Sequence, residues 1–266
     1  ALIIAHRGSA ATAPENTMAA VRAALDAGAD SVEIDVQETA EGEVVVFHDS
    51  DFMKTAKNPL KIWEAKRADL GEIDIGSWFD PKFAGERVPT LDQVLTECKG
   101  RATVTIELKY YGYDQQLEQR VVEAVERHDM ADQVVVMSLK SDKVEKIKKL
   151  RPDWTYGLLT SIQLGDISSF DVDFLGVSAG GASRGFVRRA QQKGFDVYVW
   201  TVNDPYQMSA MMSRGVDGII TDEPALANRV REIRAQLSPV QRLLVGIGAE
   251  VGVFKVPSKL PGDIDA

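Results

Sequence analysis

The feature that most constrains the fold of this chain is a rhythm: short β-branched runs alternate with longer amphipathic stretches, and Gly, Pro, Asp or Asn marks each handover. That rhythm belongs to βα units and favours a parallel sheet. Strands are predicted at Leu2–Ala5, Ser31–Gln37, Ala102–Leu108, Gln133–Ser138, Thr155–Leu159, Val172–Val177, Asp196–Thr201 and Gly218–Thr221. Helices are predicted at Thr17–Ala27, Leu91–Lys99, Asp114–His128, Lys140–Leu150, Ser183–Lys193, Pro205–Arg214 and Ala225–Leu237. A further run, Glu43–Phe47, reads as a hairpin on the second strand, because Glu41-Gly42 is a turn signal. Eight strands with interleaved helices predict an α/β fold, a (β/α)8 TIM barrel over residues 1–237. The competing open, doubly wound sheet would carry G-x-G-x-x-G after its first strand, and this chain does not.

Residues 50–88 break the rhythm. They are rich in Lys, Asp and Gly with single aromatics such as Trp63, Trp78 and Phe79, and read as an insertion in an early βα loop, lying over the C-terminal face of the barrel. A surface excursion with its own small cluster fits equally well. Ser238-Pro239 ends the last helix and opens an appendage over 238–266. Its apolar stretch Leu243–Phe254 is too short to span a bilayer and suits packing, association into a homo-oligomer or weak membrane contact. A formal charge of −9 argues against nucleic acid or anionic membrane as a general partner. The single cysteine, Cys98, cannot form an internal disulfide and reads as a buried small apolar residue. The start, Ala1-Leu2-Ile3, shows no basic-then-apolar leader, so any targeting peptide was removed or never present. The expectation is a soluble protein, with cytoplasmic and secreted or periplasmic locations both open.

Of the three histidines, His6 and His48 each close a strand, and each is followed by a charged residue, Arg7 or Asp49. Strand-end histidines are often structural, but a pair of them can converge as proton carriers. His128 reads as solvent-facing. In Ser31-Val32-Glu33-Ile34-Asp35-Val36, the two-residue period of a strand puts Glu33 and Asp35 on one face and the apolar residues on the other. Thr105, Glu107 and Lys109 share a face in the same way. Like charges pointed into a barrel are costly unless a cation or proton intervenes. Three carboxylates suit one hard divalent cation, Mg²⁺ or Ca²⁺, with Mn²⁺ next; no Cys or His cluster has the spacing for zinc. A solvated strand edge and a Glu107–Lys109 surface pair remain the bland readings.

Together, His6-Arg7-Gly8, Pro14-Glu15-Asn16-Thr17, Glu33-Ile34-Asp35-Val36, His48-Asp49, Pro89-Thr90-Leu91, Ile106-Glu107-Leu108-Lys109, Trp200-Thr201-Val202-Asn203 and the run 215–222 resemble glycerophosphodiester phosphodiesterases, from residue 3 to about 235. The resemblance implies a TIM barrel with one divalent metal on Glu33, Asp35 and Glu107, His6 and His48 as general acid and base, and Arg7 on phosphate. Lys109 matches a lysine near the phosphate. Trp200 can stack on the substrate or simply pack, and Glu15, Asn16 and Asp49 are expected to support the site from behind. Asp222 reads as a helix cap. Two departures from the family pattern, Thr39-Ala40-Glu41-Gly42 and Phe52-Met53-Lys54-Thr55, bear on turn geometry and substrate choice. The implied reaction releases glycerol 3-phosphate and an alcohol from a small phosphodiester. Lysophospholipase D-like or phospholipase C-like action on a lipid, and binding without turnover, are the alternatives.

Overall fold

The first strand of the chain pairs with both the second and the last, and that closes the barrel. The computed structural model describes residues 1–113, 115–160, 167–238 and 241, so the predicted Leu243–Phe254 segment lies outside the described residues. In chain order the first elements are β1 (Leu2–Ala5), α1 (Met18–Asp26), β2 (Ser31–Glu38) and β3 (Val44–Val46). The insertion then contributes β4 (Asp51–Phe52), α2 (Met53–Ala56), β5 (Asn58–Lys61) and α3 (Arg67–Glu72). The regular alternation resumes with α4 (Leu91–Cys98), β6 (Thr103–Leu108), α5 (Leu117–Arg127), β7 (Val134–Ser138), α6 (Ser141–Leu150) and β8 (Thr155–Thr160). It finishes with β9 (Phe174–Ser178), α7 (Arg184–Gln192), β10 (Asp196–Trp200), α8 (Pro205–Arg214), β11 (Gly218–Thr221) and α9 (Pro224–Gln236).

Eight strands form the ring in the order β1, β2, β6, β7, β8, β9, β10, β11, all parallel, with Leu2 opposite Gly218 and Ile4 opposite Ser31 at the closure. The predicted (β/α)8 barrel is therefore the fold. The hairpin expected at Glu43–Phe47 is present as β3, antiparallel to β2 outside the ring.

The two-residue period divides each strand between two environments. Val32, Ile34 and Val36 of β2 and Val104, Ile106 and Leu108 of β6 pack outward among Val21, Leu91, Leu95 and Val121 of the surrounding helices. Ile4, Met137, Leu159, Phe174, Tyr198 and Ile220 face inward and fill the barrel axis. Room for them comes partly from glycine: a Cβ on Gly157 would lie 2.0 Å from the Phe174 ring. Short polar side chains start the helices, with Thr17, Thr90, Ser183 and Asp204 each accepting a backbone N–H of the first turn. Cys98 is buried and free, as expected, and its thiol is pushed up to about 12 by burial.

Two expectations change. The helix predicted from Asp114 begins at Leu117, because the Glu38 carboxylate takes the Gln115 and Gln116 N–H groups at 3.3 and 3.0 Å and holds that stretch as loop; Asp114 lies outside the described residues. His128 is not free in solvent: it caps the end of α5 and its Nε2 lies 2.6 Å from Asp92 Oδ1, a carboxylate shared with Arg127. Residues of the 50–88 insertion form a cluster of their own around Phe52, Ile62, Leu70 and Ile75, continuous with Val45 and Phe47. Among the described residues, no helix is long and apolar enough to cross a membrane.

Candidate active site

The tripeptide His6-Arg7-Gly8 folds as a tight turn at the C-terminal end of β1. Arg7 and Gly8 both have positive φ, 53° and 80°. Gly8 has no alternative, since a Cβ there would stand 2.5 Å from the Ala20 backbone carbon. The strained Arg7 backbone is held by its N–H donating to Glu33 Oε2 at 2.8 Å and by the Asn16 N–H donating to the Arg7 carbonyl at 2.9 Å. The turn sets the side chains of His6 and Arg7 at the barrel mouth.

Glu33, Asp35 and Glu107 are all buried, and one oxygen from each lies within 4.8 Å of the others. Strand pairing brings them together: Glu33 stands opposite Thr105 and Asp35 opposite Glu107. Buried carboxylates must be paired or hydrogen-bonded. Asp35 Oδ2 accepts from Asn16 Nδ2 at 2.8 Å and lies 3.2 Å from Arg7 Nε, while Asn16 Oδ1 takes the Asp35 N–H at 3.2 Å. Lys109 Nζ donates to Glu107 Oε1 at 2.6 Å and sits 3.1 Å from Asp35 Oδ1 without hydrogen-bond alignment. Burial, then Asp35, pushes Glu33 up to about 8 and Glu107 up to about 7. Burial would also raise Asp35, but Lys109, Arg7 and His48 outweigh it and hold it at about 2. When ionised, the three carboxylates outnumber the two adjacent cations, Arg7 and Lys109, and an all-oxygen donor set of this kind can hold a hard divalent ion.

Each cleft histidine is oriented by a carboxylate on Nδ1. His6 Nδ1 is 2.6 Å from Asp222 Oδ1, and His48 Nδ1 is 2.7 Å from Asp49 Oδ1. With Nδ1 so engaged, Nε2 is the nitrogen left for chemistry. Burial alone would lower His6, but the Asp222 bond and Glu33 outweigh it and raise it above its ordinary value. His48 is lowered, by burial first and then by Lys109 and Arg7 against the opposing pull of Asp35.

His6, Arg7, Glu33, His48, Glu107 and Lys109 line one cleft of about 190 Å³ with Met137, Leu139, Leu159, Trp200, Thr201 and Ile220, and Asp35 lies buried behind Glu107 and Lys109. The indole Nε1 of Trp200 is buried with no hydrogen-bond acceptor among the described residues. Glu15 stands behind Arg7, accepting from its Nη1 at 2.9 Å and from Lys54 Nζ at 2.7 Å, so the insertion reaches the site through one lysine. All the site residues expected from sequence thus come together. Asp222 was misread: the N-cap position of α9 belongs to Glu223, and Asp222 holds His6 and accepts from Asn203 Nδ2 at 2.6 Å. Its place in the chain directly after β11, next to β1 in the ring, was the available signal. Gln37 was also passed over, although it extends the inward face of Glu33 and Asp35.

Two cations, an acidic cluster and two carboxylate-oriented histidines at the C-terminal mouth of a parallel barrel fit a site for an anionic ester. The sequence model of the glycerophosphoryl diester phosphodiesterase family matches residues 6–226. A glycerophosphodiester phosphodiesterase of Caldanaerobacter subterraneus subsp. tengcongensis is 33% identical over 245 residues, covering 87% of this chain and 98% of that protein. The solved structure of an Oleispira antarctica phosphodiesterase in complex with the product sn-glycerol-3-phosphate superposes with a TM-score of 0.83 at 26% identity, covering 87% of this chain and 97% of the other. A glycerophosphodiester phosphodiesterase from Agrobacterium tumefaciens gives 0.77 at 28% identity, covering 86% and 99%. The chain belongs to the glycerophosphoryl diester phosphodiesterase family and is an enzyme of the phosphoric diester hydrolase class.

Proposed function

We propose that this barrel, residues 1–237, hydrolyses glycerophosphodiesters to glycerol 3-phosphate and an alcohol, with one divalent cation held by Glu33, Asp35 and Glu107. The observation that carries the reading is that two members of that buried carboxylate triad, Glu33 and Glu107, share one cleft with two carboxylate-backed histidines. The product bound by the Oleispira antarctica phosphodiesterase supports glycerol 3-phosphate as the released species. Mg²⁺ or Ca²⁺ suits the oxygen donors, with Mn²⁺ a third choice. Such an ion, when bound, supplies Lewis-acid polarisation of a phosphoryl oxygen.

Arg7 and Lys109 neutralise the phosphate, and both are kept charged: burial works against them, but the facing carboxylates raise both. One histidine takes the proton from the attacking hydroxyl and the other protonates the leaving alcohol, a division worth roughly 10² to 10⁴-fold per transfer. The neighbouring hydroxyl of the glycerol is the nucleophile we favour: its oxygen bonds to phosphorus as the P–O bond to the alcohol breaks, giving a cyclic phosphate that water then opens. Trp200, Met137, Leu159 and Ile220 give the substrate an apolar wall.

The test is glycerol 3-phosphate release from a panel of glycerophosphodiesters after metal stripping and readdition of Mg²⁺, Ca²⁺ or Mn²⁺, with His6→Ala, His48→Ala and Glu107→Ala controls. Metal-restored turnover abolished by all three substitutions is expected. Folded protein inactive with every metal would overturn the reading. Direct entry of solvent ¹⁸O with no cyclic species would remove the hydroxyl route alone.

A further inference from the structure

The two histidines of the cleft are mounted differently. His6 directly follows the barrel strand β1, whereas His48 follows β3, which is outside the ring, pairs with β2 from Val36–Val46 to Glu38–Val44 and bridges to Thr90 through Val45. One more backbone bond, Phe47 N–H to the Asp35 carbonyl at 2.9 Å, ends this ladder. Beyond it, the carbonyls of His48 and Asp49 are held by side chains, while the Ser50 carbonyl accepts the Ile62 N–H of the insertion at 3.1 Å. The buried Gln37 amide lies within reach of three consecutive carbonyls through its Nε2: Phe47 at 2.7 Å, His48 at 3.3 Å and Asp49 at 2.8 Å. An amide nitrogen has two hydrogens, so the two short bonds use them and the His48 carbonyl gets the weaker share. Tyr111 supplies what is missing, its hydroxyl donating to that same carbonyl at 2.5 Å.

Three carbonyls converging on one buried point would be costly without a donor at their centre. We propose that Gln37, completed by Tyr111, is the positioning residue that sets His48 in register with the carboxylate triad; the proposal rests on the reading of His48 as a proton carrier. Gln37 shares the inward face of β2 with Glu33 and Asp35, and Tyr111 follows β6, the strand of Glu107. The clamp therefore refers the His48 turn to the two strands that carry the acidic cluster.

The experiment uses the full chain with saturating Mg²⁺, glycerophosphocholine as substrate, and NMR of protein labelled with ¹³C at the histidine Cε1, where only three resonances arise. The variants are Gln37→Met, Tyr111→Phe and His48→Ala. For Gln37→Met, kcat is expected to fall about 10²-fold, the scale of an ångström-sized misplacement, with KM within about twofold. Tyr111→Phe should lower kcat by roughly 2 to 10-fold, the worth of one hydrogen bond. In both, the His48 resonance moves while those of His6 and His128 stay. A kcat within about twofold of wild type in both variants, alongside an inactive His48→Ala, would overturn the proposal. So would all three resonances shifting together, which marks general loosening. Full activity in His48→Ala sinks the catalytic reading instead, and the His48 resonance alone then decides the positioning. If Gln37→Met fails to fold, Tyr111→Phe alters only a half-exposed hydroxyl and carries both readouts.

Discussion

Asp35 and Glu107 stand directly opposite each other on adjacent parallel strands, and Lys109 Nζ reaches both, 3.1 Å from one and 2.6 Å from the other. One ammonium between two carboxylates, with Glu33 beside them, leaves the acidic cluster short of positive charge. Burial first, and then the charge of Asp35, favours the protonated forms of the other two, and pushes Glu33 up to about 8 and Glu107 up to about 7.

A divalent ion must therefore displace protons. At pH 6.5, calorimetric titration with Mg²⁺ or Ca²⁺ in two buffers of different ionisation enthalpy should show about one to two protons released per ion, and affinity should rise steadily to pH 9. Binding heats independent of the buffer would contradict the assignment of the cluster as the metal site.

The same shifts set a stability profile. Glu33 and Glu107 have folded-state values above their ordinary 4.5, so their stabilising share is complete below that value and is lost as pH rises through about 7 to about 8. Asp35 acts in the opposite sense, its share present above 3.8 and lost only as pH falls through about 2, outside this window. Chelated protein should thus lose Tm between pH 5 and 8.5, and a divalent ion should restore most of it at the upper end. Glu33→Gln should make the chelated protein more stable at pH 8.5, by a few degrees, while abolishing the metal-dependent gain. Its amide oxygen can still accept the Arg7 N–H. A chelated variant melting below wild type at pH 8.5 would contradict this account.

Much of this site was legible in the sequence because it follows strand periodicity. Glu33 and Asp35, then Thr105, Glu107 and Lys109, alternate with apolar residues, and only an inward face explains such a pattern in a parallel barrel. The His6-Arg7-Gly8 turn was legible as a motif, while its reason, the contact between Gly8 and Ala20, needed packing. What escaped the reading depends on closure and on loops. Asp222 lies 216 residues from His6, and they meet only because β11 joins β1. The start of α5 is set by Glu38 from another strand, and the environment of His128 by Asp92 from another helix; neither is a local preference.

Asp222 carries the next prediction. Asp222→Asn keeps an oxygen for the Asn203 amide but presents an N–H₂ or a neutral oxygen to His6 Nδ1, so the tautomer is no longer fixed with Nε2 free. A fall in kcat of roughly 10² to 10⁴-fold is expected, with metal affinity little changed. Burial already lowers His6, and the variant loses both the bond and the charge that counter it, so the His6 limb of the pH–rate profile should move to lower pH. Activity profiles from pH 5 to 9 at saturating metal check this. An unmoved limb would show that Asp222 serves only to anchor its own loop.

Below the cleft, the apolar half of the barrel tests the packing. Phe174 and Tyr198 stack with centroids 4.3 Å apart, and the Phe174 ring occupies the space that a Gly157 side chain would need. Alanine there must displace the ring, and Tyr198 blocks its retreat on the stacked face. Tyr198 is itself hemmed in by Gly218, where a Cβ would fall 2.8 Å from its ring. Gly157→Ala should therefore cost about 1 to 3 kcal/mol, lowering Tm by roughly 2 to 12 °C. The loss should shrink when Phe174→Leu is added, although Phe174→Leu alone is also destabilising. Thermal melts of both single variants and the double variant measure that coupling. Strict additivity would mean that the alanine is accommodated by the strand backbone and that the ring does not dictate glycine at this position.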